Sequence, residues 1–247
     1  MTIKIGIIGG SGLDDPKILK NFKEIEVETP YGKPSSPLTT GTIDGKEVVI
    51  ISRHGRKHQF SPTFVNNRAN IWALKEQGVN YILATTACGS LREEIKRGDF
   101  VILDQFIDFT KYRKTTFFEE NFDVTQHTPM AEPFSDKLRN ILINTAKKLG
   151  LKVHERGTVV TIEGPRFSTR AESRMFRILG ADIINMSTAP ECILANELKI
   201  PYAVVAMSTD YDSWKEGEHV KWEDIKNVLD KNTENVKKLL IEVIKEI

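Results

Sequence analysis

Six short segments of this chain combine residue types that bind anions, stack on flat rings or move protons, and each follows or ends an apolar run. The first is Gly9-Gly10-Ser11-Gly12, after the apolar residues 3–8. Glycines let backbone N–H groups approach an anion closely, and the Ser11 hydroxyl adds a donor. In Ser52-Arg53-His54-Gly55, Arg53 can present its planar fork to phosphate oxygens and His54 can donate a further hydrogen bond. Thr85-Thr86-Ala87-Cys88-Gly89-Ser90 offers hydroxyls and N–H groups suited to an anion. Within the fourth segment, residues 159–172, Phe167 has the flat face needed to stack on a ring, or to pack on the helix that follows. Asn185-Met186-Ser187-Thr188 sets polar groups after another apolar run. Finally, Asp210-Tyr211-Asp212 spaces two carboxylates so that they could bind a cation, cap a helix or grip a nitrogen heterocycle.

Several chemistries are disfavoured on detail. A dinucleotide fingerprint would need a third glycine where Asp15 stands, and neighbouring aspartates would repel a pyrophosphate. Ser11 lies in Gly-Gly-Ser-Gly-Leu and not in the G-x-S-x-G elbow of a triad hydrolase. The run around Asp210 and Asp212 lacks the glycine and further ligands of a calcium loop. Cys88 and Cys192 are the only cysteines and have no metal or redox spacing, so they read as small core residues.

The elements that must position these segments are legible from apolar patterning. Apolar, β-branched runs at residues 3–8, 48–52, 81–85, 100–103, 158–162, 183–184 and 202–207 predict strands covered on both faces. Between them lie helical patterns. Ser135 can cap a helix carrying Leu138, Ile141, Leu142, Ala146 and Leu149, with Gly150 as its stop. Pro190 suits the first turn of a second helix that ends near Leu198. Residues 222–247 show one apolar face of a long terminal helix. Residues 106–132 are aromatic and aperiodic, and read as a long functional loop. Strands alternating with helices imply a single three-layer α/β/α domain over residues 1–247. In such sheets ligands bind at the carboxyl ends of strands, where all six segments fall.

The balance of 35 basic and 34 acidic residues, a formal charge of +1, gives no long-range attraction to nucleic acid or an anionic membrane. An anionic ligand must therefore be gripped by a local site. No signal-peptide pattern and no apolar run of about 20 residues is present. The expectation is a cytoplasmic protein with no membrane partner.

Taken in order, the six segments closely resemble those of the methylthioadenosine phosphorylase branch of the trimeric purine nucleoside phosphorylases, from about residue 3 to residue 215. Carried over residue by residue, the resemblance implies phosphate against Ser11, Arg53, His54, Thr86, Ala87 and Ser187. It implies Met186 beneath the ribose, Phe167 against the base and Ser168 beside it in the specificity region. Asp210 and Asp212 would face the purine N7 and 6-amino edge, with Asp210 as the general acid. Trp222 and His127 are candidate walls of the 5′ pocket, His127 being lent by a neighbouring subunit. The family's fold is a mixed-sheet α/β domain, and its assembly a homotrimer or a dimer of trimers. The implied reaction is phosphorolysis of 5′-methylthioadenosine, in purine and methionine salvage. Phosphate is the co-substrate, and no metal or organic cofactor is required.

The physical chemistry agrees. Breaking a glycosidic C–N bond through an oxocarbenium-like sugar requires a phosphate held below the ring and a proton supplied to the leaving purine. A 6-amino group donates, so a pair of aspartates can accept from it, whereas a 6-oxopurine would call for an amide donor. Alternatives are a broader purine nucleoside phosphorylase acting on adenosine or inosine, and a catalytically silent purine-binding protein on the same fold. A nucleotide-dependent oxidoreductase is disfavoured by the failed fingerprint.

Overall fold

The computed structural model describes residues 3–10, 16–120, 122–218 and 222–247. In chain order the elements run β1 (Lys4–Gly9), β2 (Lys20–Ile25), β3 (Leu38–Ile43), β4 (Lys46–Ser52), α1 (Asn67–Glu76), β5 (Tyr81–Ser90), β6 (Phe100–Ile102) and β7 (Gln105–Phe109). They continue with α2 (Asp136–Lys148), β8 (Val153–His154), β9 (Thr158–Ile162), α3 (Arg170–Ile178), β10 (Ile183–Asn185), α4 (Thr188–Glu197), β11 (Tyr202–Asp210) and α5 (Trp222–Glu246).

The strands are apolar at consecutive positions because both faces of the sheet are covered. In β1, Ile5 and Ile7 join a core shared with Leu138 and Leu142 of α2 and Val236, Leu240 and Val243 of α5. Ile8, one residue out of phase, joins the opposite core with Ile71 and Leu74 of α1 and Leu194 of α4. The same alternation holds in β11, where Val205 and Met207 face one core and Val204 and Ala206 the other. This is the period of two expected for a strand between two helical layers. The mixed-sheet α/β/α architecture is as read from the sequence.

Among the described residues the strands form one branched sheet of eleven. β4, β1, β5 and β11 run parallel. β10, β9 and β7 form a second parallel group, joined antiparallel to the end of β5 through Ile183–Ser90 and Ile184–Gly89 pairs. The carboxyl ends of the two groups therefore face one another, and the loops leaving them converge on one cavity. β5, ten residues long, pairs with β1 over its first half and with β11 over most of its length.

Helix ends follow the local sequence. Ser135 caps α2 through the Leu138 N–H, and Gly150 follows its last turn with φ 69°. Thr169 and Glu172 form a reciprocal capping box that starts α3 directly after the Phe167 turn. One reading is corrected and two strands are added. Residues 106–132 are not wholly loop: β7 occupies their start as a half-buried edge strand, which blunts its periodicity. The antiparallel β2 and β3 at the other edge carry polar or exposed positions and give no apolar run. No described helix is long and apolar enough to cross a membrane.

Candidate active site

At the junction of the two strand groups lies a cavity of about 630 Å³, whose walls include Gly10, Arg53, His54, Thr86, Ala87, Phe167, Ser168, Met186, Ser187, Asp210 and Asp212. Gly10 and Asp212, 202 positions apart in sequence, are brought together because each opens the turn beyond a strand of the same sheet.

One end of the cavity is built for an anion. Arg53 follows β4, and its backbone N–H donates to the Gly9 carbonyl, locking the two strand ends together. Its guanidinium is buried and already engaged: Nε and Nη2 donate to the two oxygens of Glu191, at 2.5 and 3.0 Å, and Nη1 donates to the Thr85 carbonyl at 2.8 Å. Three of the five N–H groups of an arginine are thus used by the protein, leaving one on each Nη. The fork expected to face phosphate is instead held from behind by Glu191, and only its tip is available. The cation is kept protonated: burial opposes its charge, but Glu191 more than offsets this. Tyr202 completes the cluster by donating its hydroxyl to Glu191 at 2.7 Å. Gly10 is required by the tight approach of this tip, since a Cβ there would lie 2.7 Å from Arg53 Nη1.

His54 differs from the sequence reading in its hydrogen-bond sense. Its Nδ1 lies 2.9 Å from the Phe60 carbonyl, which can only accept, so Nδ1 carries the proton. Burial, then the charge of Arg53, lowers the imidazole pKa to about 4, so the ring is neutral at pH 7 and its Nε2 is an acceptor. It is thus suited to the P–OH of a protonated phosphate and not to a bare phosphate oxygen. Thr86 Oγ1 and Ser187 Oγ are 3.1 Å apart, and Ser187 precedes α4 without spending its hydroxyl on a helix cap. Asn185 donates to both Thr86 and Thr188 hydroxyls, at 3.2 and 2.6 Å, and fixes their orientation.

At the other end sit two carboxylates. A register shift between Ser208 and Asp210 turns the end of β11 so that Asp210 pairs with Gly89 of β5. Asp210 Oδ1 accepts from the Thr209 hydroxyl at 2.7 Å and Oδ2 from the Asp212 N–H at 3.0 Å. Burial first, and the adjacent Asp212 carboxylate, raise the Asp210 pKa to about 6 against these hydrogen bonds. Burial also raises that of Asp212, which sits at φ 35°, in the left-handed region that aspartate tolerates better than most residues. The Ser173 and Ser168 hydroxyls lie beside the Asp212 carboxylate and work against the rise that burial causes. Phe167 is half exposed on the cavity wall, and Met186 lies between the two ends. Gly164, at φ 67°, leaves the space into which the Met186 sulfur packs.

Of the expected residues, one lies elsewhere and two fall outside the described residues. Ser11 lies outside the described residues, as does the Trp222 side chain, although α5 begins at that position. His127 is exposed after the 3₁₀ turn Val124–Gln126, with Phe122 edge-on at 5.1 Å, and lines a separate hollow with Pro133 and Asn196. It cannot serve the cavity of its own chain. The sequence reading missed His58, Phe60 and Ile225, which line the cavity, and Glu191 behind Arg53. His58 stands four residues beyond His54 in the same basic turn and stacks on its ring, so that turn was the available signal.

The profile of the phosphorylase superfamily matches residues 4–245. The S-methyl-5′-thioadenosine phosphorylase of Xenopus tropicalis is 54% identical, over 100% of this chain and 89% of that protein. The enzyme of the same name from Thermofilum pendens is 51% identical, over 99% of this chain and 92% of that protein. Among solved structures, methylthioadenosine phosphorylase from Schistosoma mansoni in complex with adenine superposes with a TM-score of 0.94 at 42% identity, over 99% of this chain and 91% of that one. A variant of the adenosine/methylthioadenosine phosphorylase of that organism, in complex with methylthioadenosine, gives 0.94 at 41% identity, with the same coverage.

Proposed function

The chain belongs to the phosphorylase superfamily, within its S-methyl-5′-thioadenosine phosphorylases, and from that premise we propose how its cavity works. It is a pentosyltransferase that cleaves 5′-methylthioadenosine with phosphate to adenine and 5-methylthioribose 1-phosphate. The observation that carries the residue roles is the pairing, in one cavity, of an anion end around Arg53, Thr86 and Ser187 with a raised carboxyl at Asp210.

In this reading the tip of Arg53, the Thr86 and Ser187 hydroxyls, the Ala87 N–H and Ser11 hold phosphate below the sugar, and His54 Nε2 accepts a hydrogen bond from its P–OH. As the C–N bond lengthens, positive charge grows on the sugar and negative charge on the purine. Phosphate offsets the first. Asp210 meets the second by donating its proton to N7, helped by exclusion of water when the base covers it. Asp212 accepts from the 6-amino group, with Phe167 against the ring and Ser168 beside it. Phosphate is the only co-substrate, and no metal or organic cofactor is needed.

We place His127 in the 5′ pocket of a neighbouring copy, within a trimer or a dimer of trimers, with Trp222 as the other wall. Its exposure and its separation from its own chain's cavity support this. The enzyme acts in purine salvage in the cytoplasm, a reducing setting that suits the two free buried thiols of Cys88 and Cys192.

The test is phosphate-dependent release of base from methylthioadenosine, adenosine and inosine, side by side. An apolar 5′ pocket should favour methylthioadenosine over adenosine by roughly 1–3 kcal/mol. Equal kcat/KM for the two would move the enzyme to the broader class. Sedimentation of an active monomer would remove His127 from the site.

A further inference from the structure

Neither Arg113 nor Glu163 lines the cavity, yet between them they tie three stretches that build its wall to one another and to the segment at Lys111 and Tyr112. Glu163 directly follows β9 and accepts four hydrogen bonds. Oε1 takes the Thr63 hydroxyl at 2.6 Å and Arg113 Nε at 2.9 Å, while Oε2 takes the backbone N–H groups of Lys111 at 2.6 Å and Tyr112 at 3.1 Å. Arg113, whose side chain is 1% exposed, uses its remaining edges on two carbonyls: Nη1 donates to Met186 at 3.1 Å and Nη2 to Glu163 at 2.5 Å.

The connected pieces are the ones the proposed chemistry must align. Thr63 belongs to the turn Pro62–Phe64, directly after Phe60 and Ser61 at the cavity mouth. The Glu163 carbonyl begins the turn that carries Phe167 and Ser168. The Met186 carbonyl immediately precedes Ser187, so the bond from Arg113 fixes both the sugar floor and the start of the anion end. Lys111 and Tyr112 anchor the segment that leads on to His127. A buried charge normally weakens a structure unless it is fully paired, and here every Glu163 oxygen is doubly engaged. The carboxylate is held ionised as a result: burial would raise its pKa, but the donors of Thr63, Lys111, Arg113 and Tyr112 bring it to about 2.

The geometry points to Arg113 and Glu163 as a positioning pair that sets the sugar floor, the base wall and the cavity mouth at fixed distances from one another. This rests on the reaction proposed above. Such a pair acts on turnover through alignment, where a misplacement near 1 Å can cost about 10²-fold.

The test compares Arg113→Ala, Glu163→Gln and the double variant, each corrected for the folded fraction at a temperature where it is stable. Arg113→Ala should lower kcat on methylthioadenosine by about 10²-fold. The double variant should be little worse than Arg113→Ala, since both remove one device. Added guanidinium should restore part of the turnover of Arg113→Ala but none in the double variant, which lacks the carboxylate that would hold it. Wild-type kcat in folded Arg113→Ala, with only the melting temperature lowered, would overturn the pair's role, and so would equal rescue of both variants. Should Arg113→Ala not fold, Arg113→Lys carries the test, because one ammonium cannot span two carbonyls and a carboxylate. Full turnover in it would equally overturn the proposal. The wild-type protein is the control: no phosphorolysis there would overturn the proposed reaction itself, and with it the role of the pair in that reaction.

Discussion

The Glu191 carboxylate closes on the Nε–Nη2 edge of the Arg53 guanidinium, across 138 residues of sequence, with both groups almost fully buried. The cation is thereby oriented and largely neutralised before any substrate arrives. The site gains a fixed donor tip in place of a strong general field, which fits a pocket that must release a sugar phosphate as well as bind phosphate.

Removing Arg53 should therefore have two effects. Arg53→Ala strips a charge-assisted contact from phosphate, worth on the order of 1.5–3 kcal/mol in the phosphate KM. It also strands Glu191 in the core with only Tyr202 as partner, a loss of about 3–5 kcal/mol in stability. Arg53→Ala/Glu191→Ala should recover much of the stability and none of the phosphate affinity. Urea unfolding and phosphate KM for both variants check this, and a normal phosphate KM in the double variant would remove Arg53 from the site.

Gly10→Ala tests the same tip without deleting a charge. Its new Cβ would fall 2.7 Å from Arg53 Nη1, too close for the guanidinium to stay where it is. Phosphate KM should rise by roughly tenfold or more, on the scale of small misplacements in a site, while adenine binding changes little. Calorimetry with adenine and kinetics against phosphate separate the two. Unchanged phosphate kinetics would show that the tip is not where phosphate sits.

The proton donor is tested at Asp210. Asp210→Ala should lower kcat by about 10²–10⁴, the usual contribution of a positioned acid, with a smaller effect on base affinity. Asp210→Asn can still donate to N7 but carries no transferable proton, so some activity should persist and preference should move toward 6-oxopurines. Full turnover of methylthioadenosine in either variant would end the general-acid role.

Asp210 should also leave a trace in stability. Its folded pKa, about 6, lies above the 3.8 of a free aspartate. As pH rises through that window the unfolded chain gives up its proton while the folded chain keeps it, so stability falls with rising pH and the loss is complete above about 6. An amide does not titrate. The stability of Asp210→Asn relative to wild type should therefore increase by about 2–3 kcal/mol between about pH 4 and pH 7. Denaturant unfolding at the two pH values checks the sign, and a constant difference would contradict a raised carboxyl.

Much of the site was legible because chemistry in this fold sits where a strand becomes a turn, and those residues are contiguous. Arg53 with His54, Thr86 with Ala87, and Asp210 with Asp212 each appear as polar groups closing an apolar run. What stayed hidden depends on distant partners. Glu191 lies in Ala189-Pro190-Glu191-Cys192-Ile193, where nothing local says that its carboxylate is buried against an arginine. Arg113 stands in an aperiodic stretch, and its meaning comes from Glu163 fifty residues on. The hydrogen-bond sense of His54 turns on the Phe60 carbonyl, a backbone atom with no signature in sequence. β2 escaped because an edge strand exposed along its length has no inner face to encode.

β5 carries one more consequence. Thr86 stands beside the anion end and Gly89 beside Asp210, three residues further along a strand that pairs with β11 through this interval. At about 3.3 Å per residue that interval is roughly 10 Å. On the proposed roles, the separation between attacking and departing groups is thus ruled off by covalent geometry, like a gauge block, and no side-chain exchange can lengthen it. Inserting a residue would turn every later side chain of β5 to the opposite face. Substrate range can therefore broaden at the 5′ substituent or along the purine edge, but a nucleoside with a longer reach from sugar to base would need a different strand.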